Sequence, residues 1–131
     1  MAIFSLNEVR TEQIKNIANN NFESWPESAT HGYFGGGYDT PTTPTTIRIC
    51  TIDRLDFFTE TVSAPGNDLT QGRSSLAGVS NSNYGYFGGG RTASPPFFAC
   101  TIDRLDFSNE TVSAPGNNLP QAKEGLAAVF N

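Results

Sequence analysis

The chain has 131 residues, enough for one ordinary domain that buries roughly two-thirds of its unfolded surface, and carries a net charge of −5 with a pI near 4.6. That acidity excludes the electrostatic footprint of a nucleic-acid binder. No apolar run approaches the roughly 18 residues of a membrane span, and MAIFSLNEVR lacks the charged and apolar regions of a secretory signal.

The first 31 residues differ from the rest. Ser5 and Glu8 have capping-box spacing, in which the serine oxygen takes one free helix N–H and the glutamate reaches back for another. Phe4 and Val9 stand where a hydrophobic staple would place them. The pattern predicts a helix from about Leu6 to Asn19, with Val9, Ile14 and Ile17 as a narrow apolar stripe and Asn19–Asn21 as its stop. A helix of that length is marginal alone, so the stripe must rest on something: the chain's own β-domain, a neighbouring subunit or a larger assembly. Phe22 and Trp25 continue the apolar signal, and Trp25-Pro26 imposes an extended path. Residues 1–31 therefore read as an anchor arm, with Phe4, Leu6, Val9, Ile14, Ile17, Phe22 and Trp25 as its assembly residues.

From Gly32 the chain repeats itself. GYFGGG at Gly32–Gly37 returns at Gly85–Gly90, TIDRLDF at Thr51–Phe57 returns at Thr101–Phe107, and ETVSAPGN at Glu60–Asn67 returns at Glu110–Asn117. The later motifs are displaced by 101 − 51 = 50 residues and the glycine motif by 85 − 32 = 53. The copies thus differ in length within one loop, and one supersecondary unit has been duplicated. Repeat 1 covers about 32–75, repeat 2 about 76–125, and 126–131 begins a further copy.

Each GYFGGG supplies strand-forming aromatics followed by glycines that admit close backbones or positive φ. A phosphate cradle is excluded: neither GxGxxG nor GxxxxGK is present, and a Pro/Thr loop follows in place of a helix. The loops after the glycines, Tyr38–Ile49 and Arg91–Ala99, account for the length difference. Tyr38, Asp39, Thr42 and Arg48 in one, and Arg91, Phe97 and Phe98 in the other, suit ligand-binding loops on a rigid scaffold; the alternative is a solvated loop that has drifted.

Cys50–Phe57 and Cys100–Phe107 are predicted strands, with Thr, Asp, Leu and Phe on one face and Cys, Ile, Arg and Asp on the other. Arg54 and Asp56 share a face, as do Arg104 and Asp106. Because each charged candidate occurs twice at equivalent positions, a structural ion pair between stacked sheets is expected rather than one acid–base or metal constellation. Outer strands over Glu60–Asn67 and Glu110–Asn117 end in Ala-Pro-Gly-Asn turns. Leu76–Val79 and Leu126–Val129 read as small-residue apolar inner strands. Cys50 and Cys100, at equivalent positions, are expected too far apart to bridge and to stay reduced.

The order LAGV, GYFGGG, TIDRLDF, ETVS resembles a kelch repeat, with Leu105 and Val112 where such blades commonly carry Tyr and Trp. GYFGGG followed by TIDRLDFSNETVS is also similar to repeats in virion structural proteins of marine cyanobacterial phages. The resemblance, over residues 32–131, implies an all-β fold of two kelch-like four-stranded propeller blades per chain. The first blade has no inner strand ahead of it, and a spare inner strand follows the second. Propellers close with roughly four to eight blades, so the expectation is a ring closed by strand exchange, six-bladed and homotrimeric by preference, the alternatives being rings of two or four chains and a longer chain of which these residues are a piece. Leu126, Ala128, Val129 and Phe130 of one subunit would then complete the blade begun by Tyr33 and Phe34 of the next.

The function expected from that resemblance is non-enzymatic: a virion-located structural, decoration or fibre-type protein, held to other virion proteins by residues 1–31 and engaged in host attachment. The alternative is a carbohydrate-binding, lectin-like ring whose aromatic loops stack on host-surface glycans. An enzyme is the weakest reading, because His31 is the only histidine and no nucleophile or metal-ligand spacing appears. No cofactor, metal, nucleic-acid partner or membrane insertion is expected.

Overall fold

The computed structural model describes residues 29–39 and 47–131. The expected helix, the seven anchor residues from Phe4 to Trp25, and Thr42 lie outside the described residues. The chain divides into Met1–Thr30 and His31–Asn131, and all the strands among the described residues belong to the second unit.

The described residues are all-β, with no helix among them, and every sheet is antiparallel. Repeat 1 forms β1 (His31–Gly35), a short ribbon of β2 (Tyr38–Asp39) and β3 (Ile47–Arg48), then β4 (Ile52–Asp56) and β5 (Val62–Ser63). Repeat 2 forms β6 (Ala77–Ser80), β7 (Tyr84–Gly88), β8 (Ile102–Asp106) and β9 (Val112–Ser113). The first-repeat sheet runs β1-β4-β5; the second runs β6-β7-β8-β9. Registers coincide: Tyr33 lies opposite Arg54 and Tyr86 opposite Arg104, while Leu55 faces Val62 and Leu105 faces Val112.

One difference from expectation has a simple cause. The outer strands shrink to Val62–Ser63 and Val112–Ser113, because Asp56 and Asp106 end β4 and β8 with side-chain-capped turns. Asp56 Oδ1 accepts the N–H groups of Phe58 and Thr59, and Asp106 Oδ1 accepts the N–H and hydroxyl of Ser108. Glu60 and Glu110 then adopt the same left-handed turn, each with φ of 57°. At the tail, residues 126–131 form no strand within this chain, although the matching Ala77–Ser80 does. Ala77–Ser80 has β7 to pair with; the equivalent edge, that of β1, belongs to a sheet at the far end of the repeat pair.

The glycine runs let a connector cross beneath each sheet. Gly37 N–H donates to Arg73 O at 2.7 Å and Gly90 N–H to Lys123 O at 2.8 Å. Gly36 and Gly89 have φ of +73° and +67°, and a Cβ on either would meet the connector carbonyl, Arg73 O at 2.5 Å or Lys123 O at 2.8 Å. Backbone bonds from Leu69 to Cys50 and from Arg73 to Ile49 complete one crossing; Leu119 to Cys100 and Lys123 to Ala99 complete the other. The core lies between the two sheets: Ile52, Leu69, Phe87 and Leu105 are buried there, with Tyr33, Cys50, Leu76, Phe107 and Val112 packed around them.

Candidate functional site

The seam between the repeats is the most elaborated polar structure in the described residues. Arg73, carried by the connector, is wholly buried. Its Nη1 donates to the carbonyls of Gly89 and Thr101, each at 2.8 Å, and its Nη2 donates to Asp103 Oδ2 at 2.6 Å. Asp103, equally buried, also accepts the Thr70 hydroxyl at 2.7 Å and the Thr70 N–H at 3.2 Å. Both carboxylate oxygens are therefore occupied, and the planar guanidinium, whose Nη2 also reaches Phe87 O at 3.4 Å, reads three carbonyls and an acid at once. Such a pair contributes orientation more than net stability, since desolvating two charges offsets much of their attraction.

A second polar group lies nearer solvent. Arg54 Nη1 is 2.9 Å from Glu110 Oε1 and 3.0 Å from Oε2, and the Tyr33 hydroxyl donates to Oε1 at 3.0 Å. Burial, reinforced by the hydrogen bond to Glu110 and that residue's charge, pushes the Tyr33 phenol up to about 12. The expected ion pair between sheets thus exists, but Arg54 takes Glu110 and not Asp56. Asp56 is committed to its own turn, where the N–H groups of Thr59 and Phe58 hold its carboxyl below the usual range. Around these polar groups Tyr33 stacks on Phe107 with ring centroids 5.4 Å apart, and Phe87 lies against Gly35.

The equivalent aromatic residues of the first repeat have no such cover. Phe87 is 7% exposed; its repeat-1 equivalent Phe34 is 62% exposed. Phe107 is partly buried under Tyr33, whereas Phe57 is half exposed. β1 keeps one edge unpaired within its sheet. Beside it lies a cleft of about 300 Å³ lined by His31, Gly32 and Tyr33 of β1 and by Gly78, Val79 and Ser80 of β6.

The sequence-predicted residues fall into separate places. Tyr33 is in the seam and Phe34 on the outer face, while Val129 and Phe130 are exposed on the tail and Leu126 and Ala128 accompany them there. Tyr38 pairs with Arg48 and Asp39 with Ile47, which closes the first loop as a ribbon. Arg91 bridges to both Ser74 and Phe98, and Thr92 N–H bonds Phe97 O, which closes the second. Arg91 therefore meets the connector, while Phe97 and Phe98 stay exposed at the loop surface. Missed in the sequence were Arg73, Thr70, Asp103 and Glu110. A signal existed for the first: 123 − 73 = 50, so LTQGR and LPQAK carry a basic residue at the same repeat position. Among the described residues no group of three or more His, Cys, Asp or Glu side chains could hold a metal, and Cys50 and Cys100 are free thiols.

No protein-family model and no curated protein matches the chain. Among solved structures, one titled "Structure of YjhT" is similar to it, with a TM-score of 0.63 at 13% identity. The match takes in 74% of this chain and 38% of that one, so the chain spans well under half of its structural neighbour's length. At that identity the likeness is one of fold alone.

Proposed function

We propose that this chain is the subunit of a closed, homo-oligomeric β-propeller, and that the ring is a non-enzymatic structural or decoration part of a phage particle. One observation carries the ring: the open edge of β1 matches the edge of β7 that β6 fills, and residues 127–130 repeat the position of β6. The register follows from the second-repeat sheet. Ala77 pairs with Gly88 and Val79 with Tyr86, so a donated tail sets Ala127 against Gly35 and Val129 against Tyr33. Pairing would also cover Val129 and Phe130, which are 90% and 82% exposed in the single chain, and would remove an open edge of the kind that invites aggregation. Three copies make six blades, the preferred count.

The virion role rests on the resemblance of the repeats to those of cyanophage structural proteins, with residues 1–31 as the attachment to other virion proteins. Native mass in solution tests the ring: a multiple of the chain mass is expected, and removal of 126–131 should return monomers or aggregates. A well-behaved wild-type monomer overturns it. Co-purification with particles, lost on removal of residues 1–31 from an otherwise intact ring, tests the role.

A lectin-like ring is the second reading, favoured by the exposed side chains of Phe97 and Phe98 on a closed loop. Glycan-array binding that disappears when that loop is replaced would select it.

A further inference from the structure

Resting on the ring reading above, we infer that the contact between copies has a defined polar centre: Lys123 of one copy inserts into the first-repeat sheet of the next and pairs with its Asp53. The internal seam is the template. Arg73 leaves the connector after repeat 1 and enters the second-repeat sheet at the carbonyls of Gly89 and Thr101 and the carboxylate of Asp103. Lys123 occupies the same place on the connector after repeat 2, with the same backbone bonds: Gly90 N–H to Lys123 O, and Lys123 N–H to Ala99 O. Its side chain is exposed in the single chain. The acceptors that correspond to those of Arg73 are Gly36 O, Thr51 O and Asp53, on the first-repeat sheet.

The outer polar group repeats in the same direction. Arg54 and Tyr33 reach forward from repeat 1 to Glu110 of repeat 2. Arg104 and Tyr86 of repeat 2 accordingly face Glu60 of the next copy, which is exposed and already holds the left-handed turn of Glu110, φ 57° in both. Phe34 and Phe57, exposed here, take the places that Phe87 and Phe107 occupy in the internal seam. Charge, apolar surface and strand edge are thus complementary between the two ends of one chain, and the occupant of the first-repeat face is a second copy.

The two seams are not equal. Arg73 makes a planar, forked contact, whereas Lys123 offers a compact ammonium. Thr70, which binds Asp103 through both N–H and hydroxyl, has Pro120 as its counterpart, with neither donor to offer. The seam between copies therefore has fewer hydrogen bonds than the seam within a copy, and the ring opens there first.

The test uses the full 131-residue chain and the concentration dependence of its native mass. Lys123→Ala and Asp53→Ala should each weaken assembly by at least about tenfold. The double variant should be no weaker than the weaker single, because both remove one contact. Lys123→Arg should assemble at least as tightly as wild type. Lys123 is exposed in the lone subunit, so its variants leave the subunit fold intact. Wild-type oligomers that Lys123→Ala and Lys123→Arg leave unchanged, or single effects that add, overturn this pairing and spare the ring. A wild-type monomer overturns both.

Discussion

Arg73 Nη2 lies 2.6 Å from Asp103 Oδ2, with both side chains fully shielded from water. A connector residue of the first repeat is thereby locked into the strand that opens the second hairpin of the other repeat. Replacing Arg73 with Met leaves the Asp103 carboxylate buried with Thr70 alone, and should cost about 3–5 kcal/mol. Adding Asp103→Leu should recover part of that loss. Urea unfolding of the three variants measures it.

The glycine run predicts a contrast between two alanine substitutions. At Gly36 the new methyl meets Arg73 O at 2.5 Å, on a backbone with φ of +73°. At Gly66, φ is +88° but nothing lies within 4 Å. Gly66→Ala should therefore cost only the left-handed strain, about 1–2 kcal/mol, and Gly36→Ala that plus crowding, about 2–5 kcal/mol in all. Chemical denaturation midpoints separate the two.

Phe34 and Phe87 stand in identical motifs and should respond differently. In the lone subunit Phe87→Ala removes a buried ring and should cost about 3–5 kcal/mol. Phe34→Ala touches an exposed side chain and should stay within about 0.5 kcal/mol, while weakening assembly if copies stack on that face. Thermal unfolding of dilute protein, beside its native mass, checks both halves.

One of the chain's four tyrosines should titrate late. Tyr33 ionises at about 12, against an ordinary 10, because burial and then Glu110 disfavour the phenolate. A value raised by folding contributes stability that is complete below pH 10 and is lost as pH climbs toward 12. Alkaline absorbance titration should show this late component, absent in Tyr33→Phe and moved to lower pH in Glu110→Gln.

The acid side has the opposite sign. Asp56 is held low by the backbone N–H groups of Thr59 and Phe58, and Asp106 by the hydroxyl and N–H of Ser108. Their contribution is present above the ordinary carboxylate value, near 4, and is lost as pH falls through the lowered folded values. Carboxylate titration by NMR should place both below the usual range, and Ser108→Ala should raise Asp106 while leaving Asp56 unmoved.

The main strands and their order within each repeat were legible in the residues themselves, whereas hairpin register and the crossing connectors emerged only in the folded chain. Period-two alternation in TIDRLDF, the aromatic-glycine strand and the Asp-capped turns act over a few residues, so both copies fold alike wherever they stand. Burial is not local in that way. The same LDF sequence has Leu105 fully buried in one copy and Leu55 half-covered in the other, and the same YF pair has Phe87 shielded and Phe34 open. What differs is which sheet lies across the seam. Repetition therefore determined the strands and their order, while tertiary packing alone decided that Arg73 finds Asp103 and Arg54 finds Glu110, since those partners lie 30 and 56 residues away and meet only when two sheets exclude water between them.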